Sequence, residues 1–381
     1  MNRQGSEQIR FFTLRTWILL GLAVFGAIVA LYRLAVGLGP ATNLSDSTPW
    51  GLWIAFDVTT GVALAAGGFT VTFAAYVANW DKFKPIARAA TLTAFLGYIL
   101  VVFGVFLDIG KPFSIWHPIF FWQPGSVMFE IVICITLYTL VLFLEFLPWL
   151  LDRLNVLTGV RDFLEKRSVL FTLVILGILL SYGHQSSLGG LFLITPAKLH
   201  PLWYTQFIHH LFFLSAVCVG LSMVSCETIV SANMRNKEHE TDILDGLARG
   251  TAIALLVYFL VRFADLAIKG NLGAMFEGSL QSGLFLLEVG VGVVIPMLLL
   301  ASKSIRSSIP ALLASHGMVI FGVVLNRFNV VFLTESNMGA TAYFPSWQEF
   351  AITVGLVSAG LFLYKLIVTQ LPIFTPARQQ S

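Results

Sequence analysis

Between Ser181 and Trp203 the chain reads S-Y-G-H-Q-S-S-L-G-G-L-F-L-I-T-P-A-K-L-H-P-L-W. His184, Gln185, Ser186 and Ser187 put an imidazole, an amide and two hydroxyls into four consecutive residues of an otherwise apolar segment. An imidazole with an unperturbed pKa near 6.5 exchanges protons near neutral pH. The amide and hydroxyls can orient a small polar head group beside it. Polar groups at membrane depth are costly, and where they cluster they mark a site by default.

Other ionisable residues interrupt apolar stretches in the same way. Counting 1.5 Å of rise per residue from the nearer helix end, Arg33, Asp57, Asp108, Glu130, His184, Arg262, Asp265 and Arg327 fall in the half of the membrane away from the basic loops, with His209 and His210. Tyr98 and Glu288 come out nearer the middle, and Glu227, His316 and Glu145 lie toward the basic side. A charge at a helix centre costs about 2.5–3.5 kcal/mol on insertion scales, so these groups must pair or line a wet cavity. Three arginines and four carboxylates allow near-complete pairing, and pairing alone would pin helices together without any chemistry. His184 to Ser187 do not fit that reading, because they add polar groups without adding a charge partner.

Two-electron quinone chemistry needs a place of this kind. An isoprenoid tail takes an apolar, aromatic slot, the ring oxygens take hydrogen bonds, and each reduced oxygen needs a proton donor within hydrogen-bond reach. Asp57, Asp108, Gln185, Arg262 and Asp265 are candidates for the quinone pocket or its charge network. Desolvated carboxylates such as Glu130 can carry protons, and Tyr98 and Glu227 would extend a route toward the basic side. A bis-histidine haem would need facing histidines at one depth. His184 could meet His209 or His210, but His316 has no histidine at its own level, so a transmembrane relay of two haems is not expected.

The elements that hold these residues follow from composition. Of 381 residues 57% are hydrophobic and 11% charged, far from the quarter charged that soluble chains carry. A spanning helix needs about 20 apolar residues. Ten segments qualify: 16–39, 50–79, 87–110, 125–151, 168–194, 202–232, 248–269, 280–302, 309–333 and 346–371. Lys and Arg gather on alternate connections: Arg3, Arg10 and Arg15 at the start, then Lys82, Lys84 and Arg88, then Arg153, Arg161, Lys166 and Arg167, then Arg235, Lys237 and Arg249, then Lys303 and Arg306, with Arg378 in the tail. The intervening connections offer Lys111, Lys198 and Lys269. The positive-inside rule then places both termini, residues 1–15 and 372–381, in the cytoplasm. The first segment is expected to be retained as a helix, since no small-x-small cleavage site follows it. Cys134, Cys218 and Cys226 lie in apolar segments without the spacing of a zinc site or an iron–sulfur cluster, so neither metal nor cluster is expected.

A repeat is visible as well. Pro49-Trp50 and Pro201-Leu202-Trp203 open the second and sixth segments. Asp108 and Asp265 close the third and seventh, and Glu130 and Glu288 stand near the start of the fourth and eighth. The fold expected is an all-α integral membrane protein forming a single membrane domain over 1–381. It has two four-helix bundles, 50–194 (helices 2–5) and 202–333 (helices 6–9), flanked by helices 1 and 10. The aromatic stretch Phe113 to Trp122 reads either as an interfacial belt in membrane lipid or as a docking surface for a partner.

Several motifs together resemble one known family. They are P-W-G-x-W-I-A-F-D (Pro49 to Asp57), Gly67-Gly68, Gly97-Tyr98, S-V-x-F-E (Ser126 to Glu130), H-Q-S-S-x-G (His184 to Gly189), H-P-L-W (His200 to Trp203), R-F-x-D (Arg262 to Asp265) and A-Y-F-P-S-W (Ala342 to Trp347). The chain is similar to the NrfD, or polysulphide-reductase membrane subunit, superfamily, and within it to the HybB-type subunits of periplasm-facing uptake [NiFe] hydrogenases. The resemblance implies a haem-free, quinone-binding subunit of a bacterial inner-membrane oxidoreductase complex. It implies a periplasmic ferredoxin-type iron–sulfur subunit that passes electrons from the large and small hydrogenase subunits to menaquinone, with no nucleic-acid partner. It also implies that Tyr98, Glu130, His184 and Glu227 serve the quinone and its protons, possible proton translocation included. Asp265 stands where that branch carries Glu, which shortens its reach toward Arg262. The alternatives are a membrane subunit of a molybdopterin or multihaem cytochrome c complex, and, outside the family, a secondary transporter.

Overall fold

A computed structural model of the chain describes residues 13–45, 50–194, 199–336 and 343–371. Pro49, Lys198 and Pro196, the first part of the 1–15 segment and the 372–381 tail lie outside the described residues. Among the described residues ten helices are long and apolar enough to cross a membrane: α1 Leu14–Val36, α2 Trp53–Val77, α3 Asp81–Asp108, α4 Val127–Leu154, α5 Arg167–Leu193, α6 Ile208–Met234, α7 Thr241–Ile268, α8 Leu280–Ala301, α9 Ile309–Leu333 and α10 Trp347–Gln370. The chain is a multi-pass membrane protein, and its described elements are helical. The face that carries the Lys- and Arg-rich connections is called the basic face below.

Side-chain caps fix several helix starts by accepting hydrogen bonds from otherwise orphaned N–H groups. Thr13 caps α1 on the basic face, and Ser126 caps α4 on the opposite face. Ser279 and Ser346 form capping boxes with Ser282 and Glu349 at the starts of α8 and α10. The Gly26 and Gly355 backbones let α1 and α10 run closely together, since a Cβ on either would lie 2.6 Å from the other's Cα. This pair packs on α3 and on the beginning of α2. Within the first half α2 packs on α3 and α5, and α4 packs on both α3 and α5. Within the second half α6 packs on α7 and α9, and α8 packs on both of those. α6 also lies against α5 and the middle of α2, so the two halves share a broad seam.

The helix that departs most from regularity is α2. It is wound as a π-helix over Trp53–Thr60, turns at Ala65 and Ala66, and is again π over Phe73–Val77. Ala66 N–H bonds Ala63 O at 3.1 Å rather than the carbonyl four residues back, which leaves Val62 O without its usual donor. Gln185 of α5 supplies it, with Nε2 donating to Val62 O at 2.8 Å. Close approach explains the adjoining glycines. A Cβ on Gly67 would sit 2.5 Å from Val224 of α6, and one on Gly68 would sit 2.5 Å from Ala94 of α3.

One helix boundary differs from the sequence reading in an informative way. The sixth helix starts at Ile208, not at 202. Leu202 and Trp203 are apolar enough to read as helix, but they sit buried in a turn ahead of it, where the Trp203 indole donates to Glu288 Oε2 at 2.8 Å. At the end of α5 the Gly189-Gly190 pair does not stop the helix, which continues into a 3-10 turn over Leu191–Leu193. Gly189 serves packing instead, since a Cβ there would meet Ile208 O of α6 at 2.8 Å.

Candidate functional site

A cavity of about 1230 Å³ opens between α6 on one side and the α1–α10 pair on the other, with α2 and α3 as its floor. Its wall is mostly apolar, with Leu64, Leu96, Leu100, Val101, Met223 and Leu356 among the lining residues. From Thr353 at its closed end to Lys365 at its mouth α10 covers about 18 Å at 1.5 Å per residue. The closed end lies toward the non-basic face, and the mouth reaches Thr13, Arg15, Arg235 and Asn236 on the basic face.

Two carboxylates face this space. Asp57 comes from the π-wound start of α2 and lies at the closed end. Thr353 of α10 donates to its Oδ2 at 2.6 Å. Gly104 lets α3 pass close behind it, where a Cβ would stand 2.9 Å from the Asp57 Cβ. Glu227 of α6 lies part-way to the mouth, and Tyr364 of α10 donates to its Oε1 at 2.6 Å. Its Oε2 is buried and accepts no hydrogen bond among the described residues. An unsatisfied carboxylate oxygen on a cavity wall suits a water or a ligand donor.

Tyr98 and His184 are brought together, but behind the wall. Gly97 of α3 lines the cavity, while the next residue, Tyr98, points into the first-half core and is fully buried with His184. His184 Nδ1 donates to Leu180 O at 2.6 Å. The neutral ring therefore presents Nε2 as an acceptor, and the Tyr98 hydroxyl hydrogen-bonds to it. The Tyr138 ring packs edge-on against Tyr98, with centroids 4.7 Å apart, and lies 5.4 Å from the His184 ring.

The remaining candidates are not gathered at the cavity. Gln185 is committed to Val62 O. Glu130 stands exposed in the first turn of α4, where it is not brought to His184. Asp108 ends α3 within electrostatic reach of Arg33, Glu349 and Asp57, and Arg33 Nη2 donates to Ile109 O at 2.7 Å. Arg262 and Asp265 do not bond one another. Arg262 donates to Leu202 O at 2.9 Å and lies over the Phe285 ring, whereas Asp265 accepts from Thr205 at 2.8 Å and pairs with Lys269 at 2.9 Å. Both clip the 202–207 turn onto α7. Glu288 accepts from Trp203, Asn326 and Asn329, and Arg327 donates to Asn326, Ser215 and Phe212 O while stacking on the Phe212 ring.

Near the closed end a set of polar contacts ties the start of α10 to Asn43 and Leu52. Tyr343 bonds Glu349 through its hydroxyl, which also accepts from Leu52 N–H, and Glu349 Oε1 accepts from the Asn43 and Ser346 N–H groups. Burial, reinforced by the Glu349 carboxylate, raises the Tyr343 hydroxyl well above the usual tyrosine range.

Both His184 ring nitrogens are engaged, His316 Nδ1 bonds Ser222 Oγ at 3.2 Å, and His209 and His210 are neighbours on one helix with ring centroids 4.0 Å apart. Among the described residues no three of His, Cys, Asp and Glu are grouped to hold a metal ion.

The residues that sequence reasoning missed are Thr353, Tyr364 and Lys365 on the cavity side of α10, and Tyr138 beside Tyr98. The signal for two of them was available, because Tyr364-Lys365 interrupts the apolar run G-L-F-L-Y-K-L-I-V.

Comparison with known proteins bears on this geometry. Residues 40–336 match the family model described as "Polysulphide reductase, NrfD". The chain is 32% identical over 369 residues to the "Probable Ni/Fe-hydrogenase 2 b-type cytochrome subunit" of Escherichia coli K12, covering 94% of this chain and 92% of that one. It is 29% identical over 402 residues to the "Menaquinone reductase, integral membrane subunit" of Nitratidesulfovibrio vulgaris, covering 97% and 94%. It is 22% identical over 421 residues to a selenate reductase subunit of Mesobacillus selenatarsenatis, covering 97% and 95%. With the family match running through eight of the ten helices, α2 to α9, and these likenesses extending over almost the whole chain, it belongs to the NrfD (polysulphide reductase) family of membrane subunits.

Proposed function

We propose that this chain is the menaquinone-reducing membrane subunit of a respiratory [NiFe] hydrogenase complex, with the quinone ring at the Asp57 end of the large cavity. The observation that carries the reading is that cavity: long, apolar, open at the side between α6 and α10, and closed by a carboxylate. Bound quinone supplies an acceptor for two electrons and two protons. Asp57, kept in place by Thr353, is the group that meets the ring end and passes a proton there. Glu227, held by Tyr364, stands on the way from the basic face and relays protons inward. The Tyr98–His184 pair backs the ring end behind Gly97 and extends the polar region toward α4 and α5. This differs from a pocket built on His184 itself, because His184 is sealed from the cavity.

Positive connections support a cytoplasmic basic face and cytoplasmic termini in the bacterial inner membrane. The electron donor, a ferredoxin-type iron–sulfur subunit attached to the large and small hydrogenase subunits, then docks on the periplasmic face, near the closed end. Protons drawn through Glu227 would come from the cytoplasm, which makes turnover electrogenic. The likeness to a selenate reductase subunit favours, as a second reading, the same quinone site serving a molybdopterin or multihaem module, and the proteins that co-purify separate the two.

The test is Asp57→Asn in the intact complex. An Asn keeps an oxygen that accepts from Thr353 but cannot carry the proton. Quinone-coupled hydrogen oxidation should fall about a hundredfold, within the span of general acid–base contributions, while oxidation coupled to a soluble dye is retained. If both rates survive, the ring does not sit at Asp57.

A further inference from the structure

Asp57 closes the cavity, and a second polar layer stands behind it. We propose that Asp108, in that layer, is a proton port to the non-basic face. It recharges Asp57 with one of the two protons that each quinone takes up, while Glu227 serves the other from the basic face. This rests on the reading that the quinone ring meets Asp57 and that electrons arrive on the non-basic face.

Three helices place that layer. At the closed end Asp57 of α2 accepts from Thr353 of α10 and lies against Gly104 of α3. Trp53, Glu349 and Asp108 stand on those same helices, each four residues nearer the non-basic face, a step of about 6 Å at 1.5 Å per residue. Four-residue spacing keeps each of them close to the helix face that meets Asp57. Trp53 Nε1 donates to Glu349 O at 3.3 Å, which ties α2 to α10 at this level. Asp108 is within electrostatic reach of both Asp57 and Glu349. A proton crosses a step of this length through one intervening water.

The two acids of the outer layer are treated differently. Glu349 is completed by Tyr343 and by the Asn43 and Ser346 N–H groups, as a structural carboxylate is. Asp108 is not: its Oδ1 is buried and has no hydrogen-bond partner among the described residues. The cation beside it, Arg33, is 1% exposed, spends Nη2 on Ile109 O at 2.7 Å and leaves Nε without a partner. Arg33 acts on Asp108 through space, and so offsets the charge that remains there once a proton has moved on. Asp108 also has an outlet. It is the half-buried last residue of α3, and Gly110 and Lys111 just beyond it are exposed. In turnover the Asp57 carboxyl gives its proton to a ring oxygen, the Asp57 carboxylate takes one from the Asp108 carboxyl, and water at the non-basic face reprotonates Asp108. A proton taken from the side on which the electrons enter moves no charge across the membrane, whereas one drawn past Glu227 moves one.

The test counts charge per quinol. Right-side-out membrane vesicles holding the whole complex oxidise hydrogen with a soluble naphthoquinone, and charge is read as potassium uptake in the presence of valinomycin. Wild type should move about one charge per quinol formed. Asp108→Asn should slow turnover about tenfold and raise the ratio to about two, because the remaining turnover draws both protons past Glu227. Asp108→Glu keeps a carboxyl and should bring the ratio back to about one. Loosened packing alone would lower turnover and leave the ratio unmoved. A wild-type ratio near two or near zero overturns the proposal, as does an unchanged ratio in Asp108→Asn. Failure of the quinone reading shows elsewhere, as undiminished turnover in Asp57→Asn. Should Asp108→Asn not assemble, wild type and Asp108→Glu decide: about one charge per quinol in both supports the port, and any other ratio in either overturns it.

Discussion

Two regions of the molecule treat buried charge in opposite ways: the cluster around Glu288 and Arg327, and the wall of the large cavity. In α6–α9, Glu288 accepts three hydrogen bonds from side chains, Arg327 donates to three partners, and Asp265 has both a threonine and a lysine. The void among Ser215, Glu288 and Asn326 is about 10 Å³, room for one water at most. Along the cavity, Asp57 of α2 accepts from Thr353, Glu227 of α6 accepts from Tyr364, and both open onto about 1230 Å³. The Glu288–Arg327 cluster resembles a structural clamp, in which a dense polar network fixes one arrangement of helices. The cavity side leaves acceptor capacity unspent where a substrate can reach it. Buried charge in a membrane protein is thus not by itself a sign of function, and what distinguishes the two uses is whether the protein completes the coordination.

The largest effect should come from breaking the clamp. Arg327→Ala removes the donor to Asn326 and Ser215 and a positive charge within electrostatic reach of Glu288. Losing one partner from a buried charge network costs about 3–5 kcal/mol. Folded protein recovered from membranes should drop sharply, and any that remains should melt far below wild type in detergent. A stable Arg327→Ala protein with normal quinone turnover would dissolve the distinction between clamp and site.

Next comes His184→Ala, which tests whether the sealed Tyr98–His184 pair belongs with the cavity or with the core. The change leaves the buried Tyr98 hydroxyl without its acceptor, a cost of about 1–3 kcal/mol. If the pair backs the ring end, quinone-coupled turnover should fall about tenfold beyond what the lost stability explains, with dye-coupled oxidation intact. A melting shift without a change in turnover per folded molecule would move the pair to the clamp class.

How much of this the chain discloses before folding varies with the kind of interaction. The ten helices follow from apolar length, since the bilayer imposes a fixed thickness on every one of them. The break in α2 is foreshadowed by Gly67-Gly68, and the polarity of α5 by His184 to Ser187. The facing of Tyr98 is not legible, because α3 is apolar on all sides and no periodicity tells Gly97, on the cavity, from Tyr98, behind it. Nor are the hydroxyl partners: Thr353 meets Asp57 from 296 positions away, and Tyr364 meets Glu227 from 137. The partners of Arg262 and Asp265 are not legible either, beyond the short reach of Asp265 toward Arg262. Three-residue spacing brings side chains to one face of a helix, but a backbone carbonyl at Leu202 and an ammonium at Lys269 offered these groups better-placed partners.

A smaller effect is expected for Tyr364→Phe, which takes from Glu227 its one hydroxyl donor and adds nothing to the cavity wall. A single hydrogen bond contributes about 0.5–1.5 kcal/mol net, so the melting shift should be slight. Quinone turnover should drop about threefold, the kinetic equivalent of roughly 0.7 kcal/mol, because Glu227 remains ionisable but loses its fixed orientation. Glu227→Gln should be more severe than Tyr364→Phe. Equal losses in the two variants would mean that the hydroxyl, not the carboxylate, carries the proton.

Glu130→Gln should have the smallest effect, and it separates geometry from resemblance most cleanly. The family likeness gives Glu130 a role in the quinone and proton path, yet the carboxylate is exposed in the first turn of α4, where the helix N-terminus favours a negative charge. A Gln there keeps the shape and removes the charge. Placed on the face opposite the basic loops, it should leave turnover of solubilised complex with a soluble quinone within a factor of two of wild type. The sensitive measurement is assembly: if a partner protein covers this face, the Gln variant should release that partner at lower salt than wild type does. A tenfold loss of turnover with assembly intact would instead place Glu130 on the proton route and extend the functional side of the comparison to the far end of α4.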